Sequence, residues 1–336
     1  MIDLAIIIVS WNVKALLAAC LRTVQADLAT SGLTGAVWVV DNASTDGSVE
    51  LVRRDFPQVR LLDSPVNLGF AGGNNAALRA MGFIDPNQAI STEASGDLPE
   101  AVLLLNPDTE VQPGALRALY SFLKNTPQAG VAGANLVYED GSFQHGAFAL
   151  PGLWQLAIEL LPGPSRLVES CLNGRYPRRW YDQPQPFEIG HPLGAAMCVR
   201  AEAIKQVGLL DEGYHMYVEE VDWSRRILAT GWRAYCVPQA KITHFGGQST
   251  GQVKVSSFLD LWRSRYRFYR KTYSPLKVWL AGQIVWWGMQ RKIGQARKGA
   301  AQGVLNEKEL LERVQGYQQV IKMWQGRDNL SSKEKI

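Results

Sequence analysis

Cysteine and histidine are both scarce in this 336-residue chain, with four of each. The cysteines (Cys20, Cys171, Cys198, Cys236) lie far apart. That spacing excludes a local Cys-rich zinc site and the dense disulfide framework of a small secreted scaffold. Reduced thiols in a cytoplasmic protein are the expectation. Long apolar runs are missing too: no stretch reaches the roughly 20 residues that a membrane-spanning helix requires. The best candidate, Val278 to Met289, is broken by Gly282, Gln283 and Gly288. The opening run Leu4 to Val9 follows Asp3 instead of a basic segment and is too short for a signal core, which fits a first buried strand. No internal repeat is present, and no Ser-His-Asp or Cys-His constellation stands out.

What is there is 46% hydrophobic and 20% charged, enough for one large α/β core with an appendage. The net charge of +4 is unevenly spread: residues 251–336 carry +11 and the remainder −7. An acidic body with a basic tail points the tail toward an anionic surface.

The first half alternates β-rich apolar runs with helical periodicity, the pattern of a parallel sheet with crossover helices. Strands are expected at Leu4 to Ser10, Val37 to Asp41, Val59 to Leu62, Ala101 to Leu105 and Gly130 to Ala134. Helices are expected at Lys14 to Ala29, Ser48 to Asp55, Gly72 to Met81 and Pro113 to Lys124. The polar stretch from Asp85 to Pro99 reads as a surface insertion. Pro151 to Pro186 has no clean period and suits loops facing an acceptor. A strand through Gly194 to Arg200, a helix from near Glu219, a strand near Arg233 to Val237 and long helices from Ser256 complete the reading. The domain boundaries that follow are 1–250 for the sheet domain, with a nucleotide-binding half at 1–135 and an acceptor half at 136–250. Residues 251–336 then form a basic, aromatic helical extension.

Ligands of open parallel sheets bind beyond the carboxyl edge of the strands. There the chain places Ser10-Trp11-Asn12, then Asp41 to Ser48, then Asn106-Pro107-Asp108-Thr109. Asp41 and Asp46 can accept hydrogen bonds from a nucleobase and a ribose, although Asp46 equally suits a helix cap. Asn67 to Asn75 sets glycines and amides at a helix start, where backbone N–H groups favour phosphate. Its pattern is not G-x-G-x-x-G and it follows the third strand, which argues against a dinucleotide-binding dehydrogenase. Asp108, after a strongly apolar strand, is placed to hold Mg²⁺ or Mn²⁺ against a diphosphate, or is a plain turn residue. Glu219 and Glu220 open a helix on different faces, so one can enter the crevice and take a proton. Asp222 could simply pair with Arg226 one turn on. His244, followed by Phe245-Gly246-Gly247-Gln248-Ser249-Thr250, suits a loop over phosphates and metal.

In order, V-S-W-N, V-D-N-A-S-T-D-G-S, N-x-G-F-A-x-G-N-N, L-N-P-D-T, G-A-x-M-x-V-R, E-E-V-D-W and H-x-x-G-x-S-T resemble family 2 glycosyltransferases of the GT-A fold. The likeness runs over about residues 3–270 and is strongest to bacterial rhamnosyltransferase-type enzymes of cell-wall and surface polysaccharide assembly. It implies an inverting transfer of sugar, dTDP-L-rhamnose preferred over a UDP-hexose as donor, to a saccharide or lipid-linked hydroxyl. Rival readings are a nucleotide-sugar-binding protein without catalysis and a nucleotidyltransferase on the same scaffold. By position, Glu220 would be the general base, Asp108 with His244 would bind metal, and Asp41 would contact the nucleobase. Ser10, Asn12, Asn42, Asp46, Asn67, Gly69, Asn74, Asn106, Glu219 and Asp222 join Asp41 as candidates for holding the nucleotide sugar. Two positions depart from the family's pattern: Asn106 stands where an Asp is common, and Glu220 where the base is often Asp.

Phe258 to Tyr273 mixes Trp262, Tyr266, Phe268 and Tyr269 with arginines, and Trp279 to Met289 adds an apolar segment. Such composition suits peripheral contact with an anionic membrane at the cytoplasmic face, or packing of the aromatics as core. The catalytic half makes nucleic acid a poor partner.

Overall fold

The computed structural model describes residues 2–85, 98–214, 216–246 and 254–326. Most of the expected insertion at 85–99, and Gly247 to Thr250 after His244, lie outside the described residues. The first half runs β1 (Leu4–Ser10), α1 (Lys14–Ser31), β2 (Gly35–Asn42), α2 (Ser48–Asp55), β3 (Arg60–Ser64), α3 (Gly69–Met81), β4 (Ala101–Leu105), β5 (Thr109–Val111), α4 (Ala115–Asn125) and β6 (Ala129–Val137). Then follow β7 (Ala147–Phe148), α5 (Leu153–Leu160), α6 (Arg178–Tyr181), β8 (Phe187–Ile189), β9 (His191–Pro192), β10 (Ala196–Arg200), α7 (Ala201–Val207), α8 (Glu219–Ala229) and β11 (Arg233–His244). Three long helices close the described chain: α9 (Lys254–Thr272), α10 (Pro275–Ala301) and α11 (Glu307–Trp324).

Leu4 to Ile8 are apolar without alternation, the mark of a strand covered on both faces, and β1 is central. The main sheet runs β3-β2-β1-β4-β10-β6-β11-β5, with β8 also on β11. Strands β1, β2, β3, β4, β6 and β11 point one way, while β10, β5 and β8 point the other. This α/β sheet is therefore mostly parallel by direction. On one face, α1 presents Leu17, Leu21 and Val24 and α4 presents Leu116, Leu119 and Leu123, all buried against Ile6, Ile8 and Leu103. Each such buried side chain stabilises by about 1.5–3 kcal/mol. Asp27 on α1 accepts the backbone N–H groups of Gly114 and Leu116, capping α4 from across the sequence.

Two elements differ from expectation. Helix α3 begins at Gly69, three residues before the expected Gly72, so Gly69 to Ala71 are helical as well. A Cβ on Gly73 would fall 2.7 Å from Val9 Cγ1, so the glycine brings α3 close against β1. Strand β11 continues past Pro238 to His244, because its register shifts between Val237 and Lys241 and the proline sits in that irregularity. There the Pro238 carbonyl accepts from Asn135 Nδ2.

By their contacts the described residues form two compact units: one within 1–150, 176–215 and 219–249, the other within 151–175, 216–218 and 250–336. The segment 151–175, placed by sequence in an acceptor half, thus joins the helical unit. In that unit Trp262, Phe268 and Tyr269 are 2%, 1% and 3% exposed. Trp262 and Tyr269 set their rings edge-on to Trp324, and Tyr269 Oη donates to the Gly152 carbonyl. These three α9 aromatics are core, one of the two alternatives their composition left open, because ring partners are available within the unit. Among the described residues no helix is long and apolar enough to cross a membrane. All four cysteines are free thiols, three of them buried.

Candidate active site

The carboxyl edge of the sheet gathers polar side chains by strand register. Ser10 at the end of β1 lies opposite Asp41 in β2, and β4 runs on the other side of β1 with Leu105 opposite Ile8. Ser10 and Asp41 are buried, and Ser10 Oγ and Asp41 Oδ2 have no hydrogen-bond partner among the described residues. Asp41 Oδ1 accepts the Ser44 N–H at 2.7 Å, so one oxygen holds the loop and the other faces an unmet demand. Buried polar atoms left in this state cost about 1–3 kcal/mol, which a ligand's donor can recover.

At the end of β4, Asn106 donates its N–H to the Ala195 carbonyl at 2.9 Å, tying the strand end to the turn before β10. In that turn a Cβ on Gly194 would stand 3.5 Å from Glu220 Cγ, so the Glu220 side chain lies against the glycine. Glu220 is half-buried, whereas Glu219 is buried, consistent with neighbours on different faces of α8. The backbone leading into α8 is left-handed at Tyr217 (φ 70°) and Val218 (φ 72°), a conformation rare for a β-branched residue. Such strain costs about 1–3 kcal/mol per residue and concentrates at functional sites.

Asp108 and His244 are brought together by the antiparallel pairing of β5 with β11, in which His244 faces Thr109. Asp108 Oδ1 is 3.6 Å from His244 Nε2, and the Phe245 N–H donates to the Asp108 carbonyl. Both side chains are buried, and His244 Nε2 has no hydrogen-bond partner among the described residues. His244 Nδ1 lies 3.1 Å from Gln144 Oε1. Donation to Gln144 leaves the lone pair on Nε2, beside the carboxylate, which is how a ligating histidine is oriented. Among the described residues no three His, Cys, Asp or Glu side chains form a metal cage. A hard divalent cation that keeps water and phosphate oxygens fits the two that are present. Gln144 was not singled out in the sequence: it lies 100 residues before His244 and carries no local signature.

Several candidates hold the frame of this edge. Asn12, left-handed at φ 52°, accepts from the Thr45 N–H through Oδ1 and donates its own N–H to Ser44 Oγ, joining the loops after β1 and β2. Asp46 accepts from Lys14 N at the start of α1 and from Ser48 N and Oγ at the start of α2. Desolvation pushes the Asp46 carboxyl up, but the Ser48 hydroxyl and the backbone donors outweigh it and hold the group below the usual carboxylate range. Asn42 binds both sides of the turn ahead of α3, through the Gly69 carbonyl and the Leu68 N–H. Asn67 accepts the Gly69 N–H, and Asn74 donates to the Phe70 carbonyl within the helix. Asp222 is fully buried and ion-paired with Arg226 at 2.9 Å, while the guanidinium also donates to the Val207 and Leu209 carbonyls. Cys20 contacts Thr109 Oγ1 beside the site, but burial pushes its thiol up to about 12, out of nucleophilic range.

Residues 5–82 match the model of glycosyl transferase family 2. Over 259 residues the chain is 30% identical to an N-acetylglucosaminyl-diphospho-decaprenol L-rhamnosyltransferase of Mycobacterium tuberculosis, covering 74% of this chain and 80% of the relative. It is 26% identical over 188 residues to a low-salt glycan biosynthesis hexosyltransferase of Haloferax volcanii, covering 56% of this chain and 52% of that one. Among solved structures, a mannosyltransferase from Pyrobaculum calidifontis in complex with GDP-Man and Mn²⁺ superposes with a TM-score of 0.54 at 14% identity, covering 98% of this chain and 90% of that one. At such identity the likeness carries the fold, a GT-A architecture.

Proposed function

This chain belongs to glycosyltransferase family 2, and from that premise we propose that it transfers L-rhamnose from dTDP-L-rhamnose, with inversion, onto a hydroxyl of an N-acetylglucosaminyl lipid diphosphate. The observation that carries the transferase chemistry is the buried Asp108–His244 pair with an unmatched Nε2, on the same sheet edge as Glu220. The choice of sugar and acceptor is supported by the mycobacterial relative's name.

In this reading Asp41 Oδ2 and Ser10 Oγ, both buried and without a hydrogen-bond partner among the described residues, receive and orient the nucleotide. The acceptor hydroxyl attacks the anomeric carbon while Glu220 accepts its proton. The bond from that carbon to the diphosphate oxygen breaks, its electron pair leaves with the diphosphate, and configuration inverts in a single displacement. When bound, Mg²⁺ or Mn²⁺ held by Asp108 and His244 supplies positive charge against the departing diphosphate. Glu219 and Asp222 set the start of α8 so that Glu220 keeps its position. The chain works at the cytoplasmic face of the membrane, where a lipid-linked acceptor is found.

The test is release of nucleoside diphosphate from dTDP-rhamnose and a panel of UDP- and GDP-hexoses, with the lipid-linked acceptor and either cation. Release from dTDP-rhamnose is expected, reduced about 10²–10⁴-fold in Glu220→Gln and lost in Asp108→Ala. Release from a UDP-hexose alone would replace the donor, and full activity in Glu220→Gln would remove the base.

A further inference from the structure

We propose that the outer face of α10, continued by the end of α5, is the surface through which this chain lies on an anionic phospholipid bilayer. The inference rests on the reading that the acceptor is lipid-linked, and it names the residues that would make the contact. Leu276, Trp279, Leu280 and Trp287 are 68%, 59%, 39% and 62% exposed. Their spacing puts them along one side of the helix. The opposite side is packed: Ala281, Val285, Gly288 and Met289 are buried, and a Cβ on Gly288 would fall 2.6 Å from Leu160 Cβ. Between the two helices runs an apolar groove of about 480 Å³, walled by Leu161, Pro162, Ile284 and Trp287 and ending at Arg291.

Charge decides what covers this face. Helix α10 carries Lys277, Arg291, Lys292, Arg297 and Lys298 and no acidic residue. Near an anionic leaflet such cations are drawn to lipid phosphate, and tryptophan rings settle at headgroup depth. An apolar stripe with two tryptophans on a wholly cationic helix matches an amphipathic helix lying in the interface, since no described helix can span it.

The experiment is flotation of the full chain with vesicles of phosphatidylcholine, with and without phosphatidylglycerol. Wild type is compared with Trp279→Ser/Trp287→Ser, and with Leu311→Ser as a control at another exposed apolar position of the same unit. Matched melting temperatures confirm that only the surface has changed. Wild type and the control are expected to float with the anionic vesicles, the double variant at least about tenfold less. Undiminished flotation of the double variant would overturn the face while leaving membrane attachment in place. Wild type that stays in solution would overturn both and leave the transferase reading untouched. Self-association lost in the double variant, without flotation, would give the face to a second copy of the chain and overturn the proposal.

Discussion

The carboxyl edge of the sheet and the outer face of α10 are both incomplete, in opposite ways. At the edge the unmatched groups are polar and buried: Ser10 Oγ, Asp41 Oδ2 and His244 Nε2. On α10 they are apolar and exposed, led by Trp279 and Trp287. An unmatched buried acceptor is satisfied by one well-placed donor, so the edge asks for a small polar ligand with defined geometry. An exposed apolar stripe is satisfied by area, whatever its detailed shape, so α10 asks for an extended apolar phase. The lesson is that the kind of incompleteness in a folded chain tells what completes it.

If unmatched atoms, and not burial of titratable groups as such, mark the binding edge, a buried and matched histidine should report on folding alone. His191 is that control. It is buried, stacked on Phe148, and its Nδ1 lies 3.0 Å from the Pro192 carbonyl. Burial holds its imidazole down to about 4, against an ordinary value of 6.5. As pH falls, the unfolded chain takes up this proton first, so the folded state loses stability between about 6.5 and 4. The loss integrates to about 3 kcal/mol at full extent. Urea midpoints measured from pH 7 downward should fall less steeply in His191→Phe than in wild type. Parallel slopes would mean that His191 takes up its proton as readily in the fold as in the unfolded chain.

Asp41 sharpens the comparison from the other side, with a smaller effect. Asp41→Asn keeps an oxygen for the Ser44 N–H but turns the unmatched acceptor into a donor. Donor affinity, read by calorimetry with the nucleoside diphosphate, should fall about 10–100-fold, the value of a hydrogen bond to a charged group. Thermal stability should hold or rise, because an unpaired buried carboxylate oxygen has gone. Loss of stability with unchanged affinity would place Asp41 among the scaffold residues.

Much of this was legible in the sequence. β1 and β4 stand where their unbroken apolar runs put them, and the polar residues at strand ends come together because parallel strands deliver them to one edge. What was illegible depended on partners distant in the chain. The glycines at the start of α3 read as letting the backbone approach phosphate, and nothing local shows that one of them, Gly73, also packs against Val9, some 60 residues away. Pro238 read as a strand end because nothing local announces the irregularity that accommodates it. The α9 aromatics stayed open between a lipid surface and a core because composition does not say which face of a helix is covered; Trp324 lies edge-on to Trp262 and Tyr269.

The smallest effect separates two aspartates of one loop. Asp46 differs from Asp41 in that both of its oxygens are engaged, one at the start of α1 and one at the start of α2. One carboxylate thus serves two helix N-termini, where negative charge also meets the favourable end of each macrodipole. Asp46→Ala leaves the first-turn donors of both helices to water, at about 0.5–2 kcal/mol for a cap. The group is exposed, which places the expected loss at the lower part of that range. Since its lowered pKa reflects the same contacts, the wild-type advantage should be present above the ordinary carboxylate range and fade as acid protonates the folded group. Melting temperatures of wild type and Asp46→Ala should therefore converge at low pH, while donor affinity at neutral pH changes far less than in Asp41→Asn. A variant of unchanged stability that binds donor poorly would move Asp46 from the frame of the edge to its ligand-binding face.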